Sequence, residues 1–200
     1  YTAAKPDNAP SDLEVIPQMI YKTIDLPQES AIQDVFRHIA NDMERTAAIA
    51  NQIIAAFDHG RKVLVLTERT EHLDAILSAL DSKLPPPFVL HGRMSKKQRA
   101  TLITELEGLP PDAPRVLLAT GKLVGEGFDP PPLDTLVLAM PISWKGTLQQ
   151  YAGRLHREHA TKTDVRIIDF VDTGHSALLR MWEKRQRGYR SMGYRMAVPN

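Results

Sequence analysis

From residue 62 onward, short apolar runs alternate with segments of helical periodicity, and this alternation constrains the fold more than any other feature of the sequence. Residues Leu73, Ile76 and Leu77, for example, follow the spacing i, i+3 and i+4 of an amphipathic helix. Continuously apolar strands joined by helices form parallel sheets that are covered on both faces. The runs that qualify as buried strands are KVLVLT (62–67), FVL (88–90), RVLLA (115–119), TLVLAM (135–140) and VRIIDFV (165–171).

The residues before this region differ in character, because prolines recur among the first 27. Residues 15–26 contain enough β-branched side chains for a strand, and Pro17 would confine that strand to a sheet edge. We therefore predict an extended N-terminal arm or interdomain linker over 1–27 and one α/β domain over 28–200.

Three segments have the pattern of a helix start, with a hydroxyl residue followed by Gln three positions later. They are Ser30–Gln33, Ser95–Gln98 and Thr147–Gln150. Gly60 is expected to end the helix that precedes the first of the buried strands.

Composition excludes several classes of protein. The 200 residues contain no cysteine, which rules out disulfides, a thiolate zinc site and a cysteine nucleophile. Net charge is +1, so a basic surface for nucleic acid must be local. No apolar run approaches the ~20 residues that span a bilayer. We expect a cytoplasmic protein with no membrane partner and, since the first residue is not Met, a piece of a longer chain.

The common motifs of nucleotide-binding domains that act alone are absent from this sequence. It has no G-x-x-x-x-G-K-[ST] phosphate loop and no G-x-G-x-x-G dinucleotide fingerprint. His156 and His159 lie three residues apart without an evident third ligand, so we expect no metal site.

The strongest chemical signal is the pattern Q-x-x-G-R-x-x-R in a predicted helix. It comprises Gln150, Gly153, Arg154 and Arg157. Two arginines three positions apart share a helix face, and their planar charged groups suit a phosphate. A helix with two solvated arginines is the alternative, and the pattern by itself does not separate the two.

Two further segments follow predicted strands, at the edge where ligands bind in parallel sheets. The segment 119–129 offers the Thr120 hydroxyl, Gly121, further glycines and Asp129. The segment 90–95 carries His91, Gly92 and Arg93. Hydroxyl and backbone N–H groups there suit a sugar-phosphate backbone, and an ordinary turn is the alternative for each segment.

In order and spacing, these segments resemble the C-terminal RecA-like domain of superfamily 2 helicases, the DEAD/DEAH-box-like group. Thr67-Glu68-Arg69 resembles motif IV, His91-Gly92 the following turn, 120–129 motif V and 150–157 motif VI. The resemblance covers about residues 30 to 195. Glu126 stands where classic DEAD-box proteins have Arg, so the chain is more similar to type III restriction subunits and excision-repair translocases.

The resemblance implies a RecA-like, P-loop NTPase type, three-layer fold with a mainly parallel sheet covered by helices on both faces. It implies catalytic roles for Arg157 as the arginine finger, Arg154 as a second phosphate contact and Gln150 near the γ-phosphate. Residues implied to bind the nucleotide are Gly127, Asp129 and Gly153. Residues implied to bind nucleic acid are Thr67, Arg69, His91, Gly92, Arg93, Thr120 and Gly121.

The function implied is that of the second motor domain of an ATP-dependent helicase or translocase. ATP and Mg²⁺ would be held mainly by the N-terminal RecA-like domain of the same protein, which carries Walker A and B. This sequence has neither motif, so the 200 residues alone are expected to be inactive. We favour DNA over RNA as the partner. The alternatives are half of an RNA helicase and a non-catalytic RecA-like module that binds nucleic acid or protein.

Two features in the last third of the sequence fit either a role in nucleic-acid binding or a purely structural role. The predicted helix 175–192 is rich in Arg and Lys, which would suit nucleic acid, although a solvated helix face is the reading we favour. Trp144 follows a strand and could stack on a base, although core or interdomain packing is favoured.

Overall fold

The computed structural model describes residues 12–120, 133–157 and 164–198 of the chain. Strands and helices alternate along most of this part. The strands are β1 (Asp12–Ile20), β2 (Lys62–Thr67), β3 (Phe88–Leu90), β4 (Arg115–Thr120), β5 (Thr135–Leu138), β6 (Asp164–Asp172) and β7 (Arg195–Met196). The helices are α1 (Ile32–Ala40), α2 (Met43–Asp58), α3 (Thr70–Leu80), α4 (Lys96–Glu107), α5 (Thr147–Arg157) and α6 (Ser176–Ser191).

All seven strands form one parallel sheet, in the order β3-β4-β2-β5-β6-β1-β7. Since they are parallel, their carboxyl ends lie at one edge, from which the chain leaves β1, β2, β3, β5 and β6 toward a helix. The prediction of an α/β domain with a parallel, helix-covered sheet is confirmed. The chain leaves β2 toward β3 on one side and β5 toward β6 on the other, so the direction of winding changes between β2 and β5.

Strand β1 lies within the predicted arm 1–27 and is part of the same sheet. All nine of its residues pair with β6, from Asp12 opposite Asp164 to Ile20 opposite Asp172. On the other side of β1, strand β7 pairs only with Glu14 and Val15. Pro17 has no N–H to donate, and no described strand lies beside it on that side to accept a hydrogen bond. The boundary between residues 27 and 28 stays a prediction.

Apolar side chains fill the space between the sheet and the helices on each face. One buried cluster joins β2, β4 and β5 to α4, α5 and α6. The second joins the opposite faces of the same strands to α2 and α3. Neighbouring residues of β2 illustrate the division, since Leu64 packs in the first cluster and Val63 in the second. This two-sided burial explains why the strands read as continuous apolar runs.

Of the four predicted helix signals, two are confirmed and one is wrong, while the cap at Thr147 rests on a side chain outside the described residues and stays a prediction. Ser95 and Gln98 form the predicted capping box of α4, and Gly60 has φ +77° just after α2. The prediction for Ser30 is wrong, because α1 begins one residue later, with Ala31 as N-cap and no side-chain cap bond. The Ser30 N–H instead donates to the Pro27 carbonyl in a turn. Among the described residues, no helix is long and apolar enough to cross a membrane.

Candidate functional site

Most of the predicted nucleic-acid contacts lie at the carboxyl edge of the sheet, on three neighbouring strands. His91, Gly92 and Arg93 follow β3, Thr120 ends β4, and Arg69 lies two residues after β2. Because β3, β4 and β2 are adjacent in the sheet, the fold brings together residues that are up to about fifty positions apart in sequence. The predicted gathering of these loops at one edge is what the sheet order produces.

The turn after β3 presents polar groups to solvent. His91 Nδ1 accepts a hydrogen bond of 3.2 Å from the Arg93 N–H, and both Gly92 and Arg93 are exposed. A Cβ at Gly92 would meet no atom within 4 Å, so the backbone of this turn is open. Ser95 is the N-cap of α4, so the turn lies directly before the N-terminus of a capped helix.

Thr67 has a structural environment that sequence reasoning did not foresee. Its side chain is fully buried, and Oγ1 lies 2.8 Å from Nδ1 of the equally buried His72. Burial first, and then the nearby charge of Arg45, lower the pKa of His72 to about 3. The Thr67 hydroxyl thus links β2 to the first turn of α3 and is not accessible to a nucleic acid. Only the backbone of Thr67 remains for the contact that was predicted.

Arg69 and Thr120 flank this position. Arg69 is the N-cap residue of α3 and is partly exposed, with its Nε 3.5 Å from Glu71 Oε2. An exposed pair of this kind contributes little and leaves the guanidinium available. Thr120, the last residue of β4, is 9% exposed.

Helix α5 contains the complete Q-x-x-G-R-x-x-R pattern. Gln150 is exposed, whereas Gly153 is buried in the helix. Gln150 and Arg157 are seven residues apart, about two turns, which places their Cα atoms on the same side of the helix. The buried stripe of α5 consists of Leu148, Tyr151, Ala152 and Leu155. The predicted roles of Gln150, Gly153, Arg154 and Arg157 stay predictions.

Three of the predicted site residues lie outside the described residues. They are Gly121, Gly127 and Asp129, all in the segment that follows β4.

A cavity of about 420 Å³ lies at the carboxyl edge, where the winding of the sheet changes direction. Leu66 and Glu68 line it from the β2 side, and Ile142, Lys145 and Leu148 line it from the β5–α5 side. Partial desolvation of the carboxyl raises the pKa of Glu68, although the residue as a whole is exposed. Positions of this kind bind ligands in many open α/β sheets, but none of the predicted site residues is among those that line this cavity.

Sequence reasoning missed two buried ion pairs near this edge. Arg45 donates to both carboxylate oxygens of Asp172, and Arg185 donates to both of Asp169. A signal was present in the sequence, because Asp169 interrupts the apolar run VRIIDFV. A charged residue inside a strand that is buried on both faces requires a partner.

The comparison with known families decides what kind of domain this is. Residues 45–159, more than half of the chain, match the family described as helicase conserved C-terminal domain. The chain belongs to this helicase C-terminal domain family. The predicted identification as a helicase C-terminal domain is thereby confirmed.

Viral proteins are among the relatives in sequence. The probable helicase D10 of Escherichia phage T5 is 26% identical over 170 residues, which make up 85% of this chain and 36% of the phage protein. The transcript termination protein A18 of fowlpox virus (strain NVSL) is 28% identical over 137 residues, which make up 68% of this chain and 29% of A18. The chain thus spans about a third of the length of these relatives.

Solved structures share the fold. T4 UvsW superposes with a TM-score of 0.70 and 18% identity, covering 92% of this chain and 40% of UvsW. The C-terminal domain of the DEAD-box protein Dbp5 superposes with a TM-score of 0.62 and 16% identity, covering 96% and 91% of the two chains. The helicase domain therefore has the RecA-like fold that was predicted.

Proposed function

We propose that this helicase C-terminal domain is the second motor domain of an ATP-dependent nucleic-acid helicase or translocase. The observation that carries the proposal is the position of α5, which follows the β5 loop at the carboxyl edge and contains Gln150, Arg154 and Arg157 in one helix. That edge also bears the open His91–Arg93 turn. In this proposal, phosphate-binding and track-binding groups would both come from segments that follow strands at this edge.

Within this proposal, Arg157 is the arginine finger, Arg154 a second contact to the phosphates and Gln150 the group near the attacking water. A planar, permanently charged guanidinium matches the charge on a transferring phosphoryl group. Gly127, Asp129 and Gly153 would contact the nucleotide, with Asp129 at the ribose.

ATP is the substrate of this proposed reaction, and Mg²⁺ would accompany it. The sequence has no phosphate loop and no Asp-Glu pair, so its own residues fit only the γ-phosphate side of the nucleotide. A partner RecA-like domain would hold the remaining phosphates and the metal ion. Turnover would then require the two domains to close, which makes the chemistry dependent on a conformational step.

The nucleic-acid track would run along the strand ends through Arg69, the His91–Arg93 turn, Thr120 and Gly121. Contacts there would be made to phosphate and sugar, which carry no sequence information. We therefore propose binding with low sequence preference, to DNA rather than RNA. The Glu126-Gly127-Phe128-Asp129 segment supports DNA, since it departs from the DEAD-box pattern.

The test is ATP turnover by the product of the complete reading frame that contains this sequence, measured alone, with DNA and with RNA. The proposal expects stimulation by nucleic acid, and the Arg157→Ala variant should bind ATP yet hydrolyse it about 10³-fold more slowly or worse. Near-normal turnover by Arg157→Ala would refute the finger assignment.

A non-catalytic RecA-like binding module is the second candidate, which the lack of Walker A would favour if the complete reading frame also lacked that motif. No turnover by the complete product under any condition, together with nucleic-acid binding, is the result that this candidate expects.

A further inference from the structure

The loop between β5 and α5 is seated on the C-terminal helix through one aromatic side chain. The indole of Trp144 lies so close to Gly188 of α6 that a Cβ there would be 1.9 Å from Trp144 Cε2. The same indole meets the Tyr189 ring edge-on, with the ring centroids 5.0 Å apart and the planes at 78°. Glycine is unfavourable inside a helix, and here its lack of a side chain allows the loop to pack directly on the helix backbone.

The same face of α6 also holds the loop through a buried arginine. Arg185 is 1% exposed and donates to both oxygens of Asp169 on β6, each at 2.9 Å. Its Nη1 reaches the Ile142 carbonyl at 3.4 Å, on the loop that leads into α5. The Tyr189 hydroxyl donates to Asp169 Oδ2 at 3.0 Å. One carboxylate therefore fixes both the arginine and the tyrosine that contact the loop.

The chain after α6 contacts α5 itself. The Tyr194 hydroxyl donates to the Ala152 carbonyl at 2.8 Å, in the turn of α5 between Gln150 and Arg154. A tyrosine hydroxyl is protonated at neutral pH and can donate, and burial raises the pKa of Tyr194 further. Tyr194 is held in turn by its own N–H, which donates to the Tyr189 carbonyl at 3.1 Å.

We propose that Trp144, Arg185 and Tyr194 are positioning residues that fix α5 against α6 and so set where Arg154 and Arg157 are presented to the nucleotide. This inference rests on the proposed function of α5. The α6 contacts reach α5 at two points, the loop before its first turn and the carbonyl of Ala152. A helix held at two points has little freedom to slide or tilt.

Precise placement matters because phosphoryl transfer depends on geometry. A displacement of about 1 Å at a catalytic group can lower the rate about 100-fold. Loosening the contacts with α6 should therefore lower kcat more than it weakens ATP binding, because the nucleotide would be held mainly by the partner domain. Such a split distinguishes positioning from a general loss of folded protein.

Two conservative variants and two matched controls test this in the complete gene product. Tyr194→Phe removes only the hydroxyl that bonds Ala152, and Tyr21→Phe removes one from a side chain that is 75% exposed. Gly188→Ala forces Trp144 away, whereas the Cβ of Gly108→Ala would come no closer than 3.4 Å to another atom. We expect Tyr194→Phe and Gly188→Ala to lower kcat about tenfold with less than a twofold change in KM for ATP, and the controls to match the parent.

Hydrogen exchange on the complete gene product supplies a readout that does not depend on turnover. Amides of α5 should exchange faster in Tyr194→Phe and Gly188→Ala, while those of α2, on the other face of the sheet, should keep their parent rates. A variant that is merely less stable would speed exchange in both helices.

The inference is overturned if both variants keep the parent kcat, or if exchange rises equally in α2 and α5. Arg157→Ala, measured alongside, distinguishes a failure of the positioning inference from a failure of the proposed function of α5. If Arg157→Ala loses turnover and the two variants do not, only the positioning inference fails. If Arg157→Ala retains turnover, the proposed function of α5 fails.

Discussion

Arg45 and Asp172 form a buried, two-pronged ion pair that connects α2 to the end of β6. Arg45 Nε and Nη2 lie 2.8 and 2.9 Å from the two carboxylate oxygens, and Nη1 donates to the Ala139 carbonyl at 2.6 Å. Both side chains are almost fully buried. The pair thus ties a helix to the carboxyl ends of β5 and β6, next to the candidate site.

Replacing Arg45 with Met should lower the free energy of unfolding by about 3–5 kcal/mol, because Asp172 would be left charged and buried without a partner. Chemical denaturation followed by circular dichroism measures this. Arg37→Met is the control, since Arg37 pairs with Asp34 on the surface. The double variant Arg45→Met with Asp172→Leu should recover part of the loss. Equal stability of Arg45→Met and the parent would contradict the assigned role.

His72 should make stability depend on pH. Its pKa is lowered to about 3 by burial and by Arg45, against about 6.5 in an unfolded chain. Between these values the unfolded chain binds a proton that the folded chain does not. The stabilisation is therefore complete above about pH 6.5 and decreases as pH falls, by about 1.4 kcal/mol per pH unit at most.

His72→Gln should remove this contribution, so the free energy of unfolding would fall less steeply between pH 6.5 and pH 4 than in the parent. Denaturant titrations at several pH values measure the two slopes. His38→Gln, at an exposed position of α1, is the control for losing an imidazole from the surface. Parallel pH profiles for the parent and His72→Gln would show that another group causes the acid sensitivity.

The strands were the most predictable part of the fold. Each apolar run from KVLVLT to VRIIDFV became a strand with bounds within two residues of those expected, because two-sided burial leaves an unmistakable apolar pattern. The pairing of β1 with β6 joins residues about 150 positions apart. Local sequence does not encode such a pairing, and the two-residue β7 is too short for any pattern.

The strand ends that carry the candidate site residues were predictable, but the surroundings of their side chains were not. Strand ends at the carboxyl edge could be identified, since this follows from the parallel topology alone. The burial of the Thr67 hydroxyl was not predictable, because both faces of β2 are buried and the apolar pattern therefore does not show where the side chain of its last residue points. The contact of Thr67 with nucleic acid stays a prediction. The sequence favoured a packing role for Trp144. Its partner Gly188 could not be predicted, because the contact joins residues that are far apart in sequence.

Thr67→Val tests the revised view of Thr67. Valine keeps the shape but loses the hydroxyl beside His72 Nδ1, so the free energy of unfolding should fall by about 1–3 kcal/mol. Affinity for DNA should not change, because the hydroxyl is buried. Denaturation and fluorescence anisotropy with labelled single-stranded DNA measure the two effects. Weaker DNA binding with unchanged stability would restore the hydroxyl as a direct contact.

Arg69→Gln and Arg93→Gln should each weaken nucleic-acid binding without regard to sequence, since both arginines lie at the proposed track. Each phosphate contact contributes about 0.9 to the slope of log K against log salt for duplex DNA, so each variant should reduce the slope by about 1 and the double variant by about 2. Lys83→Gln is the matched control, because exposed Lys83 lies between α3 and β3, at the opposite edge of the sheet. Anisotropy titrations over a range of salt concentrations measure the slopes. If Lys83→Gln lowers the slope as much as the arginine variants do, binding is a general charge effect and the carboxyl edge is not the track.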